Sequence, residues 1–225
     1  MPPKVKFTKD EIVDAALRVA RVKGAEGVTT RDIAAELGVS TRPIFTYYRG
    51  MDELRADLRL AAHAVYRRYT DEGLRQPIPF LGFGRQYLRF AREEPQLFRM
   101  LFMQRSGMNM NLNEAVQHVM FGKENDLAII TRDYHATPEQ AEQLFTQIWI
   151  YAYGLCVLIA TGVCDFTQEE IARRLGETFQ GAVYVIRSCP AELTGVQPVP
   201  SDTDAGRTIA EQHPDLQKQP DATVG

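Results

Sequence analysis

The stretch Thr29–Leu54, TTRDIAAELGVSTRPIFTYYRGMDEL, constrains this chain more than any other. It reads as two short helices joined by a tight turn, with a third helix beginning just beyond. Ile33, Ala34 and Leu37 fall at i, i+1 and i+4, one apolar face of the first of these helices. Gly38 stops that helix, because glycine takes a left-handed backbone conformation without steric cost. Val39 is expected to plug the turn, and Ser40 to cap a second helix over Thr41–Tyr48. Pro43 lies in that helix's first turn, where a missing N–H costs little. Ile44 and Tyr48 repeat at i, i+4 and can face the first helix, which leaves Thr41, Arg42, Pro43, Thr46 and Tyr47 pointing outward. The pattern predicts a helix-turn-helix, the arrangement that lays its second helix in a DNA major groove.

In such a unit the outward residues divide by chemistry. Arg42 begins the second helix and can pair bidentately with guanine O6 and N7. Thr41, Pro43 and Thr46 can meet base edges or a thymine methyl. Tyr47, Arg49 and the start of the first helix at Thr30–Arg31 are placed for phosphate, which positions a protein without reading sequence.

The wider region carries a resemblance. Ile12, Ala15, Ala16, Gly24, Thr29, Ile33, Ala34, Gly38, Val39, Ser40, Phe45, Tyr48 and Leu54 set an amphipathic helix, a Gly, a Thr, then I-A, G-V-S, an aromatic pair and a closing D-E-L. Lys9–Leu54 with this pattern resembles the DNA-binding domain of the TetR/AcrR family of bacterial regulators. The resemblance implies a three-helix DNA-binding domain over 8–68 and a helical ligand-binding and dimerisation domain over 80–188. Two positions depart from it. Phe45 stands where the family usually has Tyr, and Met51 where it usually has Lys.

Charge fits this division better locally than globally. The chain has 225 residues and a formal net charge of −3. Residues 1–50 hold nine Lys/Arg against six Asp/Glu, whereas residues 191–225 hold two against six. The basic excess therefore sits with the helix-turn-helix, where phosphates would be met. Residues 190–225 contain five prolines, are acidic and are almost without aromatics, so they are expected to be a disordered tail. Three cysteines, Cys156, Cys164 and Cys189, are too few for a disulfide framework. No secretory signal precedes the first helix, and the apolar run Ile148–Val163 is short of a span and broken by Gly154 and Gly162. A cytoplasmic protein without a membrane partner is expected.

The rest of the chain is helical by period. Thr8 with Glu11 forms a capping box for a helix that buries Ile12, Ala16, Val19 and Ala20 and ends at Lys23–Gly24. A long helix begins at Gly50 and runs to about Glu72, with Leu54, Leu58, Ala61, Val65 and Tyr69 at helical spacing. Phe80–Glu93 carries Phe83, Tyr87 and Phe90 on one face, and Pro95 opens a short apolar helix to Met103. Arg105–Asn113 is polar and reads as a loop, followed by a helix over Leu112–His135. Thr137, Pro138 and Gln140 open a long helix to Gly162, and Thr167 with Glu170 caps one to about Ser188. No stretch alternates with period two, so an all-α fold without a sheet is expected.

Phe83, Tyr87, Phe98, Met103, Phe121, Trp149 and Tyr153 supply aromatic and methionine surface in the second half. They can fill a solid core or line an apolar pocket. The family resemblance favours a pocket for a small lipophilic effector. The segment Trp149–Gly154 also looks like the tryptophan–histidine–glycine motif of one subgroup, with Tyr153 in place of His. The histidines at 63, 118, 135 and 213 show no metal-ligand spacing, and no phosphate loop or nucleophile motif is present. No cofactor, metal or catalytic residue is expected. The sequence thus reads as a ligand-responsive, homodimeric repressor on near-palindromic double-stranded operator DNA. Its rivals are a ligand-independent DNA-binding protein with a solidly filled second half, and a helical enzyme with titratable groups converging in a cavity.

Overall fold

The computed structural model describes residues 7–104 and 123–188, together with 112, 114 and 116. All regular structure among the described residues is helical. The expected loop at 105–113, Phe121 and the tail from Pro190 lie outside the described residues, Leu112 apart.

Thr8 starts the first helix by a reciprocal cap. Its hydroxyl accepts from the Glu11 amide at 3.1 Å, and the Glu11 carboxylate accepts from the Thr8 amide at 2.7 Å. Helix α1, Lys9–Lys23, buries Ile12, Ala16, Val19 and Ala20 as its period predicts. Helix α2, Thr30–Glu36, is capped by Thr29, whose hydroxyl accepts from the Asp32 amide at 3.2 Å. Gly38 turns the chain at φ 68°, and the Val39 amide closes the turn on the Ala34 carbonyl at 2.9 Å. Helix α3 spans Arg42–Tyr47. The expected cap at Ser40 is not what starts it. Thr41 is the N-cap residue, its backbone is already helical, and no side chain caps the helix. Pro43 in the first turn lowers that need, because its nitrogen has no proton to satisfy. Val39 is half-buried, since the turn passes over the rim of the core and not through it.

Helix α4, Met51–Leu74, has 24 residues and so a length of about 36 Å. Its first half gives Leu54 and Leu58 to the core beneath α1. Its second half buries Ala62, Val65, Tyr66, Thr70 and Gly73. Ala61 and Tyr69, expected on the buried stripe, are only half-buried. The difference has a packing cause: α4 meets α1 and also helices α5 (Pro79–Glu93) and α6 (Pro95–Phe102), so its covered arc is wider than one stripe.

Helix α5 is the centre of the second half. It packs on α4, α6, α7 (Lys123–Tyr134) and α8 (Pro138–Thr161), and buries Phe80, Phe83, Tyr87, Leu88, Phe90 and Ala91. Its approach to α4 is backbone on backbone: a Cβ on Gly73 would lie 2.5 Å from the Gly82 carbonyl oxygen. Helix α7 stops at Tyr134 because His135 takes φ 53°. Helix α8 has the predicted cap, with the Thr137 hydroxyl accepting from the Gln140 amide at 3.3 Å and the Gln140 side-chain oxygen accepting from the Thr137 amide at 3.0 Å. It ends at Gly162, whose φ of 73° is left-handed. Among the described residues α8 is the helix long and apolar enough to cross a membrane, yet it buries Leu144, Phe145, Ile148, Trp149 and Ala152 in this core. Helix α9, Gln168–Ser188, starts from the Thr167–Glu170 pair and turns Ile171 and Leu175 inward. Residues through Ile186 form one compact unit, with α4 running through both halves.

Candidate nucleic-acid interface and effector site

Three helices hold the recognition face rigidly. Ile12, Ala15, Ile33 and Ile44 are fully buried, and Tyr48 and Leu54 nearly so. Tyr48 adds a polar clasp: its hydroxyl donates to Asp57 Oδ2 at 2.9 Å, and Lys9 Nζ reaches the same oxygen at 2.6 Å. The clasp joins α1, the end of α3 and α4. The Lys9 hydrogen bond holds the Asp57 carboxyl below the usual carboxylate range, with the Tyr48 hydroxyl assisting. Burial and the Asp57 charge together raise the Tyr48 phenol. No motif announced this cluster, because its members are separated by 9 to 48 positions and only the packing brings them together.

Arg31, Arg42, Thr46, Tyr47 and Arg49 are exposed, and Thr30, Thr41 and Pro43 are half-buried. The pairing of the basic residues is informative. Lys9, Arg18, Arg21 and Lys23 bridge to Asp57, Glu36, Glu94 and Asp32 at 2.6–2.7 Å. Arg31, Arg42 and Arg49, on α2, α3 and the residue pair after it, form no ion pair among the described residues. Cations left uncompensated on one functional face are what a polyanion meets. Tyr47 is partly committed: its hydroxyl donates to the Phe7 carbonyl at 2.8 Å and ties the incoming chain to α3. Phe45 was not among the expected contacts, yet its ring is 56% exposed on α3. Period alone did not announce this exposure, since Phe45 stands roughly 60–100° around the helix from the buried pair Ile44 and Tyr48. An exposed aromatic on this helix offers an apolar surface to a thymine methyl.

The expected effector residues fall into two ring clusters. Tyr87, Phe98 and Tyr153 follow one another at 5.8 and 6.2 Å, and Trp149 stacks on Tyr153 at 5.2 Å. Phe83 instead meets Phe145 at 6.4 Å, beside a second cluster that includes Phe80 and Phe179. Met103 caps α6 at the surface, 37% exposed. The Tyr153 hydroxyl donates to the Phe102 carbonyl at 3.0 Å, so this Tyr secures the end of α6. The Tyr87 hydroxyl and Trp149 Nε1 are buried without a hydrogen bond of ordinary geometry. Burial pushes the Tyr87 phenol far up, so it stays a proton donor. The open volume lies elsewhere. A cavity of about 240 Å³ sits against Phe80, Leu81 and Gly84 of α5, Ile148 of α8, and Leu175 and Phe179 of α9. None of the six expected residues that the structure describes lines it, Phe121 lying outside the described residues.

With this geometry in hand, comparison with known proteins is direct. The profile of the family described as bacterial regulatory proteins, tetR family, matches residues 12–58. A second, described as the tetracyclin repressor-like C-terminal domain, matches residues 80–180. The chain belongs to the TetR family. Proteins of this family are DNA-binding regulators, and the described residues have the all-α, helix-turn-helix fold. The chain is also similar to the HTH-type transcriptional repressor DrrR1 of Streptomyces coeruleorubidus, 42% identical over 52 residues. That match spans 23% of this chain and 19% of the relative.

Proposed function

We propose that this TetR-family chain is a homodimeric cytoplasmic repressor, held on a near-palindromic operator and released by a small lipophilic molecule bound in its helical half. The observation that carries the DNA side is the outer face of α2–α3, where Arg31, Arg42 and Arg49 form no ion pair among the described residues while Lys9, Arg18, Arg21 and Lys23 do. Repression is supported by the relative named a transcriptional repressor, whose likeness covers 23% of this chain. Dimerisation is supported by apolar surface on the last two helices, with Ile150 44%, Tyr184 69% and Val185 47% exposed. Two such helices per chain make a four-helix contact about a two-fold axis.

Release requires a ligand that binds one arrangement of the dimer better than the other. Helix α4 is the natural lever, since it starts at the DNA-binding unit and ends packed on α5. Tilting it changes the separation of the two recognition helices, and a dimer spread in this way cannot fill both grooves. A preference of about 100-fold for the spread form corresponds to about 2.7 kcal/mol, enough to empty most operators. The cavity against α5 favours this reading over a ligand-independent protein with a solid second half. The reading is tested by sequencing the DNA fragments that the purified protein retains. A near-palindrome is expected, and fragments without any shared sequence would sink it.

A further inference from the structure

Within that ligand-responsive reading, we infer that the cavity bounded by Phe80, Leu81, Gly84, Ile148, Leu175 and Phe179 is a site for a neutral, flat aromatic molecule of one or two fused rings. The size sets the upper bound. At about 240 Å³ the space exceeds the roughly 150 Å³ that holds one benzene in an engineered protein cavity, and falls short of the roughly 300–1,000 Å³ of drug-sized pockets. A ligand of three or more fused rings, or a long chain, exceeds the space between these walls.

The lining sets the chemistry. Among the described lining residues the one ionisable group is the Tyr134 phenol, which burial and then the Asp133 charge raise, so these residues bring no charge into the site near neutral pH. A carboxylate or an amine would be stripped of water there with no counter-charge. Phe179 makes ring contacts with Phe80 at 5.5 Å and Tyr134 at 4.7 Å, which gives an aromatic wall for edge-to-face or offset packing. Gln180 and Ile78 stand at the exposed rim, where the amide can meet a single polar group on the ligand. The walls come from four helices of one chain, α5, α7, α8 and α9, with an open rim, which suits a small molecule seated between them and not a docked partner helix.

Two glycines give the site its shape and its reach. A side chain added at Gly176 meets nothing within 4 Å, so the open space continues to the α9 backbone. On the opposite wall, Phe80, Leu81 and Gly84 belong to the turn of α5 in which Gly82 touches Gly73 of α4. A ring wedged against that turn presses on the end of α4 through backbone, with no flexible side chain between to absorb the displacement.

The test uses 2-naphthol as the neutral probe and naphthalene-2-carboxylate as its charged counterpart, with calorimetry on the full chain. One 2-naphthol per chain is expected, with the carboxylate at least tenfold weaker. Gly176→Leu fills the space from α9 and is expected to weaken 2-naphthol at least tenfold. Leu81→Phe fills it from α5, and serves if Gly176→Leu fails to fold or to dimerise. Failure of 2-naphthol to bind the wild-type protein overturns the assignment. So does binding that survives both substitutions, equal binding of the carboxylate, or loss of 2-naphthol in Tyr87→Phe but not in the cavity variants. Operator affinity is measured separately with and without 2-naphthol. Binding in the cavity that leaves operator affinity unchanged upholds the site and defeats the release reading, so the two failures are distinguishable.

Discussion

Arg42 carries the largest single-residue expectation at the DNA face. It is exposed, in no ion pair among the described residues, and at the first position of α3. Arg42→Ala should cost about 1–3 kcal/mol on the cognate operator and relax one base position, because a bidentate guanine contact is lost. Operator titration across single-base variants measures both effects, and unchanged base preference would remove Arg42 as a reader. His63 makes a different expectation. It is 7% exposed on α4, and desolvation, with the Arg59 charge adding, lowers its pKa to about 4. An unfolded histidine titrates near 6.5. Between these values the unfolded chain binds more protons, so stability falls as the solution is acidified. The contribution is complete above about pH 6.5 and is lost towards pH 4, up to about 3 kcal/mol. Urea unfolding at pH 6.5 and 4.5 should show a shallower fall in His63→Gln than in the wild type. An equal slope would mean that His63 takes up its proton at the same pH in the fold as in the unfolded chain.

Elements in this chain are set by their ends and joined by close approach. The Thr137 cap of α8 was readable, because a capping box is a local pattern and its residues lie three apart. Thr137→Ala should cost about 1 kcal/mol, measured as a lower urea midpoint with an unchanged slope. The α4–α5 contact was not readable from Gly73 and Gly82. A glycine in a helix looks like a weak point in one dimension, and only its neighbour across the interface gives it a purpose. Gly82→Ala should destabilise by about 3 kcal/mol, since its methyl runs into rigid backbone. Gly154→Ala, with nothing within 4 Å of the added carbon, serves as the control and should be neutral or stabilising. Comparable melting temperatures for the two variants would mean that the helices can part at no cost. The same reasoning explains α4 itself. Its period showed one stripe, while three neighbouring helices cover a wider arc.

For the whole molecule, the expectation is a two-fold dimer through α8 and α9, with two recognition helices about 34–36 Å apart on successive major grooves or a small extension of that spacing. Sedimentation at micromolar concentration should give twice the chain's mass, and Tyr184→Glu, on the exposed face of α9, should shift it toward the monomer. A monomeric wild type would remove the geometry on which operator spacing depends. The helices, the capping boxes of α1 and α8 and the membership in the TetR family were legible along the chain, the start of α3 at Thr41 apart. Each rests on neighbours within about four residues or on a hydrophobic period, and both are properties of the sequence itself. What the tertiary structure decided was which charges remain free and which space remains open. Arg21 looks like Arg42 in sequence until Glu94 arrives from 73 residues away to neutralise it. The expected pocket residues have the right chemistry, but apolar rings in contact fill one another's space. The cavity formed instead where Gly84 and Gly176 face it from different helices, because unfilled volume depends on three-dimensional packing and not on any single segment.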